Sequence, residues 1–272
     1  MAEPKKFYDR LAGLSAIVTG AGSQGEGYGI GKAIACSFAR EGARVCLVDS
    51  RQDRAEETLE LITAAGGSAF VACGDVTDPD DCARIVAETA ERHGAVDVLV
   101  NNVGVGGPVY AVEDIDPDAW DRIMAVNVRS AMLMTRAAMP HLVKQGGSII
   151  NMSSIAAQRA IGDLGAYPPS KAALIALTAE IASLYGRKGV RANVIAPGHM
   201  FTPMVVPYLD AELTESRRKF APLGIQGDAW DIASAAVFLA SDDARFITGA
   251  CLPVDGGASV NAPPRVQALL RD

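Results

Sequence analysis

Tyr167 and Lys171 stand four residues apart in "YPPSK", a spacing that puts both side chains on one face of a helix. An ammonium beside a phenol favours the phenolate and lowers the phenol pKa from about 10. A residue otherwise inert near neutrality then becomes a general acid/base. Ser154 stands 13 residues before Tyr167, at the end of the strand-like run "GSIINMSS", where its hydroxyl could bond the same substrate oxygen. Y-x-x-x-K alone occurs by chance on many helices, so this chemistry needs support from the rest of the chain.

A second cluster lies far upstream. "TGAGSQGEGYGIG", Thr19 to Gly31, carries six glycines directly after the apolar run "AIV" and leads into a helical pattern. Glycines at a strand-to-helix turn allow positive φ and close backbone approach, and the helix N-terminus suits a pyrophosphate. Asp49 ends "VCLVD", 18 residues beyond Gly31, where a dinucleotide fingerprint places an acid on the adenosine ribose hydroxyls. A carboxylate there repels a 2′-phosphate, and no Lys or Arg lies between Gly20 and Gly31, so NAD is expected over NADP. Arg51 is the side chain that could swing toward a phosphate and reverse that preference.

The elements that must position these residues alternate. "LSAIVTG", "ARVCLVD", "SAFVACGD", "VDVLVNN", "GSIINMSS", "VRANVIAPG" and "GACLPVDGG" read as strands, with helical patterns between them. Among the latter, "DPDAWDRIMAVNVRSAMLMTRAAMPHLVKQG" reads as one long helix. Short strands that are apolar throughout are buried on both faces, which predicts a single α/β domain over residues 1–272, a doubly wound parallel sheet of about seven strands. The helix after Ser154 is expected to start near Tyr167, because Pro168 and Pro169 are tolerated only in a first turn. Residues 198–227 interrupt the alternation and are expected to form an irregular substrate lid.

The motifs, taken in order, resemble the short-chain dehydrogenase/reductase family: T-G…G-I-G at Thr19–Gly31, Asp75 in "GDV", "NNVG" at Asn101–Gly104, Asn127 in "VNV", Ser154, "YPPSK", "PGHMFT" at Pro197–Thr202, and "ITG…VDGG". The resemblance runs from about residue 11 to 260. It implies Tyr167 as catalytic acid/base, Lys171 lowering its pKa and holding the nicotinamide ribose, and Ser154 orienting the reacting oxygen. It implies Asn127 helping to hold a water that relays protons from Lys171. Cofactor contacts are expected from Gly20, Ser23, Gly29, Ile30, Asp49, Arg51, Asp75, Val76, Asn102, Gly104, Pro197, Met200 and Thr202. A homotetramer is implied, with the helices near 116–144 and 166–187 packing on their copies. The glycine loop departs from the family pattern by five inserted residues, within "QGEGY", and Glu26 is expected to face solvent.

The pocket wall is expected from Gly106, Gly107, Ala156, Gln158, Ile161, His199, Met200, Phe201, Met204 and Val205. Its mostly apolar character suggests a small-molecule substrate, an alicyclic or aromatic secondary alcohol or its ketone. The reaction would be hydride transfer with NAD. The alternatives are an NADPH-dependent ketoreductase and, more remotely, a non-catalytic nucleotide-binding scaffold. The formal net charge of −7, with basic residues scattered, argues against a nucleic-acid or membrane-surface partner. Five scattered cysteines without a C-x-x-C pair, and histidines that do not cluster, argue against a disulfide framework or a metal site. A cytoplasmic location is expected.

Overall fold

A computed structural model describes residues 9–107, 111–159 and 165–261. Six strands alternate with helices: β1 (Ser15–Thr19), α1 (Ile30–Arg40), β2 (Arg44–Asp49), α2 (Gln52–Ala64), β3 (Ser68–Cys73), α3 (Pro79–His93), β4 (Val98–Asn101), α4 (Pro117–Met124), α5 (Ser130–Gln145), β5 (Gly147–Met152), α6 (Tyr167–Tyr185) and β6 (Val190–Pro197). There follow β7 (Met200–Phe201), α7 (Ala211–Phe220), β8 (Gly227–Asp228), α8 (Ala229–Ala240) and β9 (Cys251–Val254). The main sheet has seven parallel strands in the order β3-β2-β1-β4-β5-β6-β9. The doubly wound expectation is met, and the order reverses between β1 and β4, the crevice where such sheets bind ligands.

The two-residue period of a strand divides its side chains between two cores. Ala16, Val18, Val45 and Leu47 join the core that packs α1 and α8. Ile17, Cys46 and Val48 face the other core, with Ile85 of α3 and Leu133 and Met134 of α5. All five cysteines are free thiols, and burial pushes Cys46 up to about 12.

Two expectations needed correction. The expected single long helix from Pro117 is interrupted by a π-helical turn, Ala125–Arg129, between α4 and α5. Residues 198–227 are not irregular. They contain α7, capped at Asp210, which accepts from Leu213 N at 2.7 Å, and their two ends are joined where β7 pairs with β8. Low apolar content hid that helix: residues 214–219 are polar or charged without a break, and no side chain of the helix is fully buried. No helix among the described residues is long and apolar enough to cross a membrane.

Candidate active site

A cleft of about 680 Å3 opens over the carboxyl ends of β1, β2, β4, β5 and β6 and runs from Asp49 to Tyr167. At one end the glycine turn closes tightly. Gly20 has φ +63°, and a Cβ on Gly31 would overlap the Gly20 carbonyl oxygen. A Cβ on Gly22 would lie 2.5 Å from the Arg54 Cβ and 2.9 Å from Asp49 Oδ2. Asn102 holds the turn from β4: its Nδ2 donates to the carbonyls of Thr19 and Gly20 at 3.1 and 3.2 Å. Gly29 is the N-cap of α1, with no side-chain cap and no acid in the first turn, so the free N–H groups of that helix look into the cleft. By contrast α3, α4, α7 and α8 each begin on a capping aspartate.

Asp49 accepts from Gly22 N on one carboxylate oxygen and from Arg51 N on the other, both at 3.0 Å. Each oxygen keeps lone-pair capacity for a hydroxyl donor. Asp75 and Val76 line the next stretch of wall, Asp75 held as an acceptor from Thr77 N and Oγ1 at 2.8 Å. These features fit a nicotinamide dinucleotide: an open helix N-terminus for its phosphates, side-chain-free turns against them, and an ordered carboxylate for a ribose.

At the other end lie Ser154, Tyr167 and Lys171. The proline-started α6 begins at Tyr167, as expected, and fixes Lys171 one turn on. The Lys171 Nζ donates to the Met152 carbonyl at 2.9 Å and sits 5.7 Å from the Tyr167 ring centroid. Burial pulls Lys171 down to about 8. The phenol behaves opposite to expectation: burial raises the Tyr167 pKa, and a hydrogen bond with Ser154 offsets this only in part. The lysine charge is committed to the Met152 carbonyl rather than to the phenol oxygen. Gly104 leaves room for that ammonium, since a Cβ there would stand 2.8 Å from Nζ.

Asn127 is fully buried in the π turn. Its Oδ1 accepts from Val105 N at 2.7 Å, and its Nδ2 donates to the Val105 carbonyl and Ser170 Oγ at 2.9 Å. The side chain therefore clamps the loop after β4 to α6. Beneath, Asn101 Nδ2 donates to Asn151 Oδ1, and Asn151 Nδ2 to Thr178 Oγ1, each at 2.8 Å. That buried network ties β4 and β5 to α6 below the reacting residues.

The expected cofactor residues Gly20, Ser23, Gly29, Ile30, Asp49, Asp75, Val76, Asn102, Gly104, Pro197, Met200 and Thr202 all line the cleft. Arg51 does not: its guanidinium pairs with Asp53 at 2.9 Å on the exposed surface. Arg54, one helical turn further on, takes the place beside Asp49. Sequence reasoning missed it because only position on the first turn of α2, not residue type, separates the two arginines. Of the expected substrate contacts, Gly106, Met200, Met204 and Val205 line the cleft. Gly107 and Ala156 are not on its wall. His199 instead packs its ring 5.5 Å from Phe220, Phe201 is 44% exposed because it alternates outward from Met200, and Gln158 donates to Cys251 Sγ at 3.6 Å. Ile161 lies outside the described residues. Arg217 of α7, not anticipated, also lines the cleft.

The inserted loop residues Gln24 to Gly27 are exposed, Glu26 among them, as expected. Tyr28 leaves the cleft to stack on Trp230 at 4.7 Å, with the Lys32 ammonium 5.6 Å from its ring. Gly25 and Gly27 face Pro203, which would stand 3.7 Å from a Cβ on either.

The family described as enoyl-(acyl carrier protein) reductase matches residues 25–259. A curated relative, (+)-borneol dehydrogenase 2 from Salvia officinalis, is 37% identical over 268 residues, covering 93% of this chain and 92% of the relative. A short-chain type dehydrogenase/reductase from Mycobacterium ulcerans superposes with a TM-score of 0.87 at 32% identity, covering 96% of this chain and 94% of that one. A gluconate 5-dehydrogenase from Burkholderia cenocepacia, solved with NADP and tartrate, superposes with a TM-score of 0.85 at 30% identity, covering 93% and 99%.

Proposed function

Because this chain belongs to the short-chain dehydrogenase/reductase family of oxidoreductases, we propose that it is an NAD-dependent dehydrogenase of secondary alcohols, able to run in reverse on the ketone. The observation that carries this reading is one cleft lined both by Asp49 with an uncapped helix N-terminus and by Ser154, Tyr167 and Lys171. A nicotinamide dinucleotide held there supplies the hydride acceptor or donor.

The chain's own residues manage the proton and the geometry. Ser154 and Tyr167 line the same end of the cleft, and a hydrogen bond to Ser154 is among the influences on the phenol, so both hydroxyls can serve one carbinol oxygen. In oxidation Tyr167 Oη takes the carbinol proton, and Ser154 donates to the same oxygen. Burial raises the tyrosine and lowers the lysine to about 8, so the phenol stays neutral until the lysine ammonium turns toward it and favours the phenolate that accepts the carbinol proton. Lys171 must turn from the Met152 carbonyl to serve the ribose and the phenol. Asn127 keeps the Val103–Val105 loop against α6, so the lysine has a defined channel.

Asp49 supports NAD as the cofactor, since its carboxylate would face a 2′-phosphate. Arg54 beside it is the feature that would favour NADP. The wall formed by Met204, Val205, Met200 and Gly106 suits a largely apolar alicyclic or aromatic alcohol body. The borneol dehydrogenase relative is consistent with an alicyclic alcohol. We further read the protein as a cytoplasmic homotetramer, in keeping with free cysteines and with apolar exposure such as Leu184 on α6, 66% exposed.

Titration of the purified protein with NAD and with NADP tests the cofactor assignment. NAD is expected to bind at least about tenfold more tightly, and Asp49→Ser to narrow or invert the gap by a similar factor. Tighter NADP binding by the unaltered protein would transfer control of the site to Arg54 and favour ketone reduction.

A further inference from the structure

Four buried side-chain polar atoms lack a hydrogen-bond partner among the described residues, and three of them sit together: Arg217 Nε, His199 Nδ1 and Gln226 Oε1. The grouping is physical rather than sequential. Gln226 Nε2 donates to the His199 carbonyl at 2.6 Å, and the Arg217 NH2 donates to the carbonyl of the next residue, Met200, at 3.3 Å. All three belong to the segment whose ends are joined by β7 and β8. Native proteins leave few buried polar groups unpaired, so three in one place mark a region arranged for something besides its own stability.

Arg217 is the charged member. A guanidinium carries five N–H donors, and this one makes a single hydrogen bond, to a neutral carbonyl. No carboxylate pairs with it among the described residues. Its neighbours in the basic run behave differently: Arg218 pairs with Glu215 at 2.7 Å and bonds the Gly224 carbonyl, and Lys219 reaches Glu215 at 3.4 Å. Arg217 alone of the three turns inward and lines the cleft that holds Ser154 and Tyr167. The nearby imidazole cannot neutralise it. Burial and the Arg217 charge hold His199 below its ordinary pKa, hence uncharged near neutrality.

Resting on the functional reading above, we propose that Arg217 is the anion-recognising residue of the substrate pocket, binding a carboxylate on the far side of the secondary alcohol. A planar guanidinium matches a carboxylate with paired, charge-assisted hydrogen bonds, and a half-buried one does so with little competition from water. The cofactor phosphates are the other conceivable anion. The turn at Gly20–Gly22 and the open end of α1 are the features suited to them, whereas Arg217 hangs on the Met200 carbonyl in the segment after β6 and lines the cleft from there. The substrate is thus an apolar-bodied hydroxy acid, or the corresponding keto acid, rather than a neutral alcohol. Recruitment of the carboxylate by α7 would also seat the lid over the reacting carbon.

The test compares mandelate with 1-phenylethanol, and longer hydroxy acids with their neutral analogues, in the NAD-loaded protein, its Arg217→Gln variant and an Arg218→Gln control. Turnover is measured alongside calorimetric binding of the same compounds. The proposal expects the unaltered protein to prefer carboxylated members at some chain length. Arg217→Gln should lower kcat/KM for them about ten- to hundredfold, chiefly through KM, while neutral alcohols change by less than about twofold. NAD affinity and Arg218→Gln should stay near the unaltered values. Equal losses for charged and neutral substrates, or a weakened NAD affinity in Arg217→Gln, would overturn it, since the arginine would then serve the fold or the cofactor. If NAD binds but no alcohol is oxidised, the dehydrogenase reading fails. Carboxylate binding that Arg217→Gln abolishes would still uphold the anion site, and carboxylate binding that it leaves intact, or no binding at all, would sink it.

Discussion

Lys171 carries its amine fully inside the protein, against a backbone carbonyl and the face of a phenol. Burial sets its pKa at about 8 in the folded chain against an ordinary 10.5. Below pH 8 both states are protonated and the folded state bears the whole desolvation cost. Between about 8 and 10.5 the unfolded chain binds a proton that the folded chain does not, so stability rises with pH through that window. Chemical denaturation of cofactor-free protein and of Lys171→Met across this range should show the difference between them changing by roughly 3 kcal/mol, the unaltered protein gaining as pH rises. A constant difference would mean the lysine keeps its ordinary pKa. The sequence pointed to this residue by its spacing from Tyr167, but it pointed to the wrong balance for the tyrosine. Spacing on a helix says that two side chains share a face. It does not say where the ammonium points or how dry the phenol is, and those decide the direction of the shift.

At the scale of elements, the cofactor end depends on how closely α1 approaches β1. Gly31 has no room for a Cβ against the Gly20 carbonyl, so Gly31→Ala must push the helix off the turn. The expected result is loss of NAD binding by at least about tenfold, with thermal stability lowered as well, measured by titration and thermal unfolding. Retention of both would show that α1 can shift without cost. The glycines, the strand before them and the helix after them were legible because each left a local signature. The inserted loop was legible only as an insertion. Its anchoring, Tyr28 on Trp230 and the two glycines against Pro203, joins residues about two hundred positions apart, and no local pattern announces such pairs. For the same reason local pattern points to Arg51 and is silent on Arg54, puts His199 and Phe201 on a pocket they do not line, and leaves α7 unmarked. Residues 198–227 are where charge-rich, half-exposed sequence carries the least periodic information.

For the whole molecule, sheet order and both cores follow from alternation of apolar strands and helices, and every sequence-derived strand is present. A helix apolar around most of its circumference, such as α6 with Leu184 exposed, is better accommodated against a second copy. Solution mass measurement is expected to give four chains, and a monomer at working concentration would remove that part of the proposal. The central claim is that the cleft moves a hydride between a nicotinamide and a carbinol carbon with Tyr167 handling the proton. Its most direct test is NAD reduction by a panel of apolar secondary alcohols and hydroxy acids, run on the unaltered protein and on Tyr167→Phe, with NAD affinity measured for both. The account predicts turnover that falls by about a thousandfold or more in the variant while NAD affinity stays within about twofold. Undiminished turnover in Tyr167→Phe, or none in the unaltered protein with NAD bound, would contradict it.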